Sequence, residues 1–375
     1  MSQINVIEVK SSSQLQEFIK YPNKLYKDDP NYVYPLLSER KEFFDFKNNP
    51  FYKTAKVKLF LATRDKKVVG RIATCINFNH NEYHSEQTGF FSFFDCPDDY
   101  EIASNLLKVA LITLKKEGME KMRGPINFST NHECGFLVDG FDAPPVLMMT
   151  YNQPYLPRLA EKFGLKKAMD LLAYEIDGRK GIPERIQKVL VKLEKKKDIT
   201  LRSINMKDFD NEILRIHKVY NDAWQYNWGF VPMEKEEFIH TAKDMKQIVE
   251  PDLVSIAEYK GTPIGFSLAL PDINQALIYL KGKLFPFGLL KLLWHTKIKN
   301  KLNRTRIITF GVVPDFQKRG IDMLLFNRTF INGTSRGLYM GELSWILESN
   351  ELMCHGAEQM GGHIYKRYRI VEMPL

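Results

Sequence analysis

Gln317, Lys318, Arg319 and Gly320 stand together within Arg306 to Asp322 (RIITFGVVPDFQKRGID), where an apolar, β-branched run passes through a polar loop into a helix-like segment. Strand, loop and helix in that order aim free backbone N–H groups and the positive end of a helix dipole at one spot. Gly320 lets a ligand approach the backbone, and Lys318 and Arg319 add charge, so a phosphate or diphosphate is the guest that fits. Asp322 works against it. At about 5 Å and an effective dielectric near 20, each pair of like unit charges costs roughly 3 kcal/mol, which the two cations offset unless Asp322 turns away. His132, Glu133 and Cys134 have the residue types of a metal or nucleophile site, but three adjacent side chains rarely converge on one point.

At the Arg306–Asp322 stretch the chain resembles the GCN5-related N-acetyltransferase (GNAT) superfamily. In that superfamily the acyl-CoA site is built from a strand ending in V-x-P and a Q/R-x-x-G-x-G/A loop. Here the strand ends Val312-Val313-Pro314 and the loop reads Gln317-Lys318-Arg319-Gly320-Ile321-Asp322, with Asp322 in place of the last small residue. The resemblance implies that these residues hold acetyl-CoA or another acyl-CoA. It also implies that the strand in GELSWILESN splays from its neighbour to admit the pantetheine arm. Asn350, at the start of the next helix, takes the place of a residue that often bonds the cofactor; a plain helix N-cap accounts for it equally well.

The implied reaction is acyl transfer from the thioester to an amine on a small molecule or peptide. It needs a deprotonated amine, a polarised carbonyl and a proton for the leaving thiolate. Glu348 is the expected base, acting directly or through water, against the alternative of an exposed strand-end glutamate. Many members carry a tyrosine acid four residues before the helix-ending glycine, where this chain has Ala357. Tyr365, Tyr368, Cys354 and His355 are the substitutes within reach in sequence, and Tyr365 is the expected acid. The competing reading is a scaffold or acyl-CoA sensor without turnover, which Asp322 and Ala357 favour.

The surrounding elements repeat. KVKLFLATRD and KVVGRIATCINF read as a strand pair about a tight turn, and LVSIAEYKGTPIGFSLALPD as a second hairpin about Lys260-Gly261. A helix ending Ala160-Glu161-Lys162-Phe163-Gly164 is matched by one ending Ala357-Glu358-Gln359-Met360-Gly361, each followed by a strand. The expected fold is therefore α/β (mixed α+β), in tandem GNAT-like units, each a mixed, mostly antiparallel sheet flanked by helices. The units are expected at 1–178 and 199–375, joined by a charged helix or linker at 179–198. In the first half the phosphate-loop position reads FDCPDDY, with three aspartates and no glycine, so no cofactor is expected there. The runs GPINFSTN, NWGFVP, LFPFGLLKLLW, ELSWILESN and YKRYR are similar to those of bacterial tandem acetyltransferase-like proteins, a resemblance that leaves the acceptor open.

Composition sets the remaining limits. The 375 residues are long enough for two domains, and 44% hydrophobic content is ample for two cores. The four cysteines form no CxxC pair, so neither a metal site nor a disulfide framework is expected. MSQINVIEVKSSS is no secretory leader and no apolar run reaches about 18 residues, so the expectation is a cytoplasmic protein without a transmembrane segment. The net charge of +9 suits an anionic ligand such as CoA; its densest runs lack the interleaved aromatics of a nucleic-acid surface, and no nucleic-acid partner is expected. The insertion IYLKGKLFPFGLLKLLWHTKIKNKLNR is expected to be a packed connecting helix, with weak membrane-surface contact as the alternative.

Overall fold

A computed structural model describes residues 3–195, 198–284, 286–298 and 302–375. It divides into two units that are not sequential: Met1–Leu171, Leu277–Leu292 and Lys366–Leu375 form the first, and Leu172–Ala276 with Leu293–Tyr365 form the second. The expected 179–198 linker thus lies within the second unit, and the last strand of the chain counts mostly with the first.

The first unit carries β1 (Asn5–Glu8), β2 (Ala55–Arg64), β3 (Lys67–Asn77), β4 (Thr88–Asp95), β5 (Lys121–Gly124), β6 (Phe136–Asp139) and the start of β7 (Lys166–Asp177). Its helices are α1 (Ser12–Leu25), α2 (Leu37–Phe43), α3 (Phe78–His84), α4 (Tyr100–Lys116) and α5 (Tyr155–Phe163). Strands run in the order β1-β2-β3-β4-β5, antiparallel except for the parallel β4–β5 pair. The aromatic-rich stretch before β2 is core: Tyr32, Phe44 and Phe51 are buried, and Phe51 stacks on Phe128. Glu133 is tied to Arg40 at 2.6 Å, so the His132–Cys134 run builds a structural ion pair.

The second unit continues with α6 (Glu184–Leu193), β8 (Ile199–Ser203), α7 (Phe209–Trp224), α8 (Lys235–Met245), β9 (Val254–Tyr259), β10 (Thr262–Pro271) and α9 (Asn274–Leu277). After α10 (Gly288–Leu293), which counts mostly with the first unit, come β11 (Arg304–Val312), α11 (Ile321–Ser335), β12 (Met340–Leu347) and α12 (Glu351–Gln359), and then β13 (His363–Pro374), again mostly of the first. The order is β7-β12-β11-β10-β9-β8, with β11–β12 parallel. α6 is a core helix, since Ile186 and Leu190 pack with Leu324 and Phe326 of α11.

The internal repeat is visible in backbone detail. Each hairpin turns through two residues of positive φ, Asp65-Lys66 (51° and 62°) and Lys260-Gly261 (50° and 80°), as a two-residue turn between right-twisted strands requires. Four residues past each turn a glycine lets a helix approach the sheet: a Cβ on Gly70 would lie 2.8 Å from Leu106 of α4, and one on Gly265 would lie 3.3 Å from Leu325 of α11. α4 is therefore to the first unit what α11 is to the second.

One expectation is corrected. The insertion is not packed along its length: Phe287 is 67%, Leu290 64% and Ile298 66% exposed. On β12 the polar residues Glu342 and Ser344 are both buried. No helix among the described residues is long and apolar enough to cross a membrane.

Candidate active site

β11 is flanked on one side along its length and on the other only in part. Its antiparallel register with β10 runs from Thr305↔Pro271 to Val312↔Gly265 and slips at Leu268/Ala269, which face Thr309 and Ile307 and leave Ile308 as the extra residue. Its parallel register with β12 starts at Arg304↔Met340 and stops at Ile307↔Leu343. The bulge bends β11 at the residue where β12 leaves it, since an inserted residue kinks its strand and sharpens the local twist. From Ile308 to Val312 the β12-facing edge has no strand partner among the described residues, although the Phe310 and Val312 carbonyls accept from the side chains of Trp224 and Gln317. α7 closes over this stretch. A Cβ at Gly311 would lie 2.9 Å from both Ala223 Cβ and Trp224 Nε1, and the Trp224 indole N–H donates to the Phe310 carbonyl at 3.3 Å.

The same strand delivers the loop. Val312 is buried, the Val313 N–H donates to the Ile264 carbonyl at 2.9 Å, and a 3-10 turn spans Pro314–Phe316. Gln317 folds back and donates from Nε2 to the Val312 carbonyl at 3.0 Å, so it shapes the loop. Lys318 has φ of 59° and Gly320 φ of 80°, and Gly320 caps α11 without a side-chain hydrogen bond. The first four N–H groups of a helix have no partner inside it, and here no capping side chain takes their place. Gln317, Lys318 and Arg319 are exposed beside them, with the Arg319 guanidinium 4.9 Å from the centroid of Phe316. Gly320 has a second role that the sequence did not reveal: a Cβ there would sit 2.6 Å from Leu193 of α6. Ile321 is buried, and Asp322, in the first helical turn, is partly exposed. The residues from Val312 to Asp322 thus meet in one turn.

Asn350 caps α12, its Oδ1 accepting from the Met353 N–H at 3.2 Å, so a ligand contact falls to its amide nitrogen. Glu348 lies in the turn after β12, partly exposed. Ala357 is buried in α12, where no side chain could serve as an acid. Tyr365 is not a free phenol: its hydroxyl donates to Glu342 Oε2 in a short hydrogen bond. Glu342 is fully buried, and its other oxygen accepts from Ser344 Oγ at 2.6 Å. Ser344 Oγ in turn accepts from Arg306 Nε at 3.0 Å, and Arg306 Nη2 donates to the Ser344 carbonyl at 3.3 Å. Arg306 and Glu342 face each other in the last pair but one before the strands part. Sequence reasoning missed Glu342, Ser344 and Arg306. The available signal was charge inside an otherwise apolar strand pair.

The first unit has the same parts with the openings filled. β4 and β5 pair in parallel from Thr88↔Lys121 to Phe90↔Arg123 and then separate. The chain itself takes the freed edge: the Ile126 N–H donates to the Phe91 carbonyl at 3.0 Å, the Phe93 N–H to Asn127 Oδ1 at 3.0 Å, and Ser92 Oγ to the Ile126 carbonyl. At the start of α4, Asp99 Oδ1 accepts from the N–H groups of Glu101 and Ile102 at 2.9 and 3.3 Å. Asp95 holds Arg71 and Tyr26, each at 2.7 Å. A carboxylate of the chain therefore occupies the position that an anion would take.

No protein-family model matches the chain. It is 38% identical over 377 residues to the bacterial ceramide synthase of Caulobacter vibrioides, covering 99% of this chain and 98% of that one. It is 35% identical over 367 residues to Protein YghO of Escherichia coli, covering 96% and 93%. Among solved structures, a tandem GNAT protein from the clavulanic acid biosynthesis pathway superposes with a TM-score of 0.59 at 10% identity, covering 99% and 98% of the two chains. A GCN5-related N-acetyltransferase from Sphaerobacter thermophilus gives 0.52 at 13% identity, covering 99% and 95%. At such identities the likeness is one of fold.

Proposed function

The chain belongs to the tandem GNAT-fold family that includes the Caulobacter ceramide synthase and YghO, and from that premise we propose that it is an acyl-CoA-dependent N-acyltransferase working from its second unit. The observation that carries this reading is the occurrence together of an uncapped α11 N-terminus and a stretch of β11, Ile308 to Val312, that no strand pairs on the β12 side among the described residues. The diphosphate would lie on the first N–H groups of α11 with Lys318 and Arg319 beside it, and the pantetheine amides would pair with the β11 edge. A backbone N–H of that edge then polarises the thioester carbonyl.

In the step proposed, the amine nitrogen attacks the thioester carbon, the C–N bond forms and the C–S bond breaks. Glu348 takes the proton of the incoming ammonium, directly or through water. The second amine proton leaves through Tyr365, which gains it as it passes its own to Glu342, and the thiolate departs as CoA after taking a proton from Glu348. Arg306 and Ser344 fix the Glu342 carboxylate for that exchange.

The relative's name supplies the substrate class to test. A ceramide is a fatty amide of a long-chain amino alcohol, so we propose a lipid-chain amine as acceptor and a fatty acyl-CoA as donor, with acetyl-CoA and small or peptide amines as the alternatives. The purified chain, given acyl-CoAs of rising length and a panel of amines, is expected to release thiol with the long-chain pair. The second reading, an acyl-CoA sensor, is favoured by buried Ala357 where an acid is usual, and tight CoA binding with no thiol release from any pair would establish it.

A further inference from the structure

The insertion between β10 and β11 is held at its base and left open at its tip. Leu277 and Leu280 are buried, and the Gly282 carbonyl accepts from the Leu37 N–H at 3.3 Å. Gly282 runs so close to the neighbouring backbone that a Cβ would lie 2.8 Å from the Pro35 carbonyl. Beyond this anchor several apolar side chains turn outward. Phe287, Leu290 and Ile298 are about two-thirds exposed, and Leu293 and Trp294 about half. Soluble proteins rarely leave a contiguous run of this kind to water unless something covers it.

Charge says what covers it. From Lys281 to Lys301 the chain has six lysines and no Asp or Glu, and Lys281, Lys283 and Lys291 are exposed. A second copy would set one cluster of lysines against another, which opposes self-association. An anionic bilayer offers the complement: rings and leucines enter the boundary between headgroups and acyl chains while ammonium groups meet lipid phosphates. The broken sequence, with Pro286 and Gly288 in the apolar run, suits a short piece lying in that boundary, and no helix among the described residues could cross the bilayer. We propose that the segment Pro286–Ile298 docks the protein onto an anionic membrane surface. Docking stands apart from acyl transfer, although it would bring the enzyme to a surface where lipid amines reside.

The test is co-sedimentation of the full chain with phosphatidylcholine vesicles, alone or with about three-tenths phosphatidylglycerol, at low and physiological salt. Pelleting is expected on the anionic vesicles, weakened by salt. The double variant Phe287→Asp/Leu290→Asp is expected to weaken it by at least about tenfold with an unchanged melting temperature, because both side chains are exposed. No pelleting of the wild type, or equal pelleting of the double variant, overturns the inference. So does a concentration-dependent dimer in sedimentation velocity that the same double variant abolishes, which would give the face to a second copy. Since vesicle binding is read without turnover, its failure is separate from that of the transferase.

Discussion

The two units share a hairpin turn, a helix seated on a glycine and a parallel strand pair that opens partway, yet they treat the opening in opposite ways. In the first, Ile126 and Asn127 fill the freed edge of β4 and Asp99 caps α4. In the second, β11 has no strand partner on its β12 side after Ile307 among the described residues, and α11 begins at a glycine with two cations beside it. A fold of this kind generates a strand gap and a helix N-terminus together. Whether they make a site depends on what the chain places in them. Filling satisfies backbone groups internally and stabilises the first unit; leaving them open costs the second unit that stability and leaves room for a ligand.

The largest expected effect comes from closing the open site. Gly320→Val puts a branched side chain at a φ of 80° and 2.6 Å from Leu193, and CoA affinity should fall by about 10²-fold or more in titration calorimetry, beyond the cost of strain alone. Retained affinity would remove the loop from the account.

The next effects lie in the chemistry. Glu342→Gln should lower kcat by about 10²-fold with the CoA affinity unchanged, and Tyr365→Phe should act like it, because the proposed step passes one proton along their hydrogen bond. Glu348→Gln should cost less, about tenfold, because water can replace a partly exposed base. An unchanged rate in any of these variants takes that residue out of the mechanism.

The units should also differ in their response to pH. His80 of the first unit is held near a pKa of about 4 by burial, helped by the charges of His84 and Arg123. It stays neutral when folded, so stability is lost as pH falls from about 6.5 toward 4, up to about 3 kcal/mol. Glu237 of α8 is pushed the other way, to about 7, by burial and by Glu234. The unfolded chain releases that proton first, so the second unit loses stability as pH rises from about 4.5 to 7, again by up to about 3 kcal/mol. Hydrogen exchange at pH 5 and pH 8 should show the first unit opening more at the lower pH and the second at the higher. Glu237→Gln should flatten the second trend, and His80→Gln the first.

The smallest effect sharpens the contrast from the other side. Asp99→Ala uncaps α4 and should cost about 1 kcal/mol of stability without creating a CoA site, because Ile126 still fills the β4 edge. A second CoA site in this variant would mean that the cap alone separates the units.

Much of this was legible in the sequence because local chemistry wrote it there. The turn residues at Asp65-Lys66 and Lys260-Gly261, the V-V-P strand end and the Q-K-R-G loop each act within a few residues, so their types and spacing are sufficient evidence. What was not legible depends on distant segments meeting. Ile126 reaching the edge of β4, Leu193 lying against Gly320 and Tyr365 donating to Glu342 join residues far apart in the chain, and no periodicity encodes them. The insertion misled for the reverse reason: an apolar run reads as core, yet Phe287, Leu290 and Ile298 are about two-thirds exposed.

The most direct test is the stoichiometry of CoA binding. Calorimetric titration of CoA into the full chain should give one site per chain, lost in Lys318→Glu/Arg319→Glu and kept in Asp98→Asn/Asp99→Asn. No binding, two sites, or a single site that survives the loop variant would contradict the account.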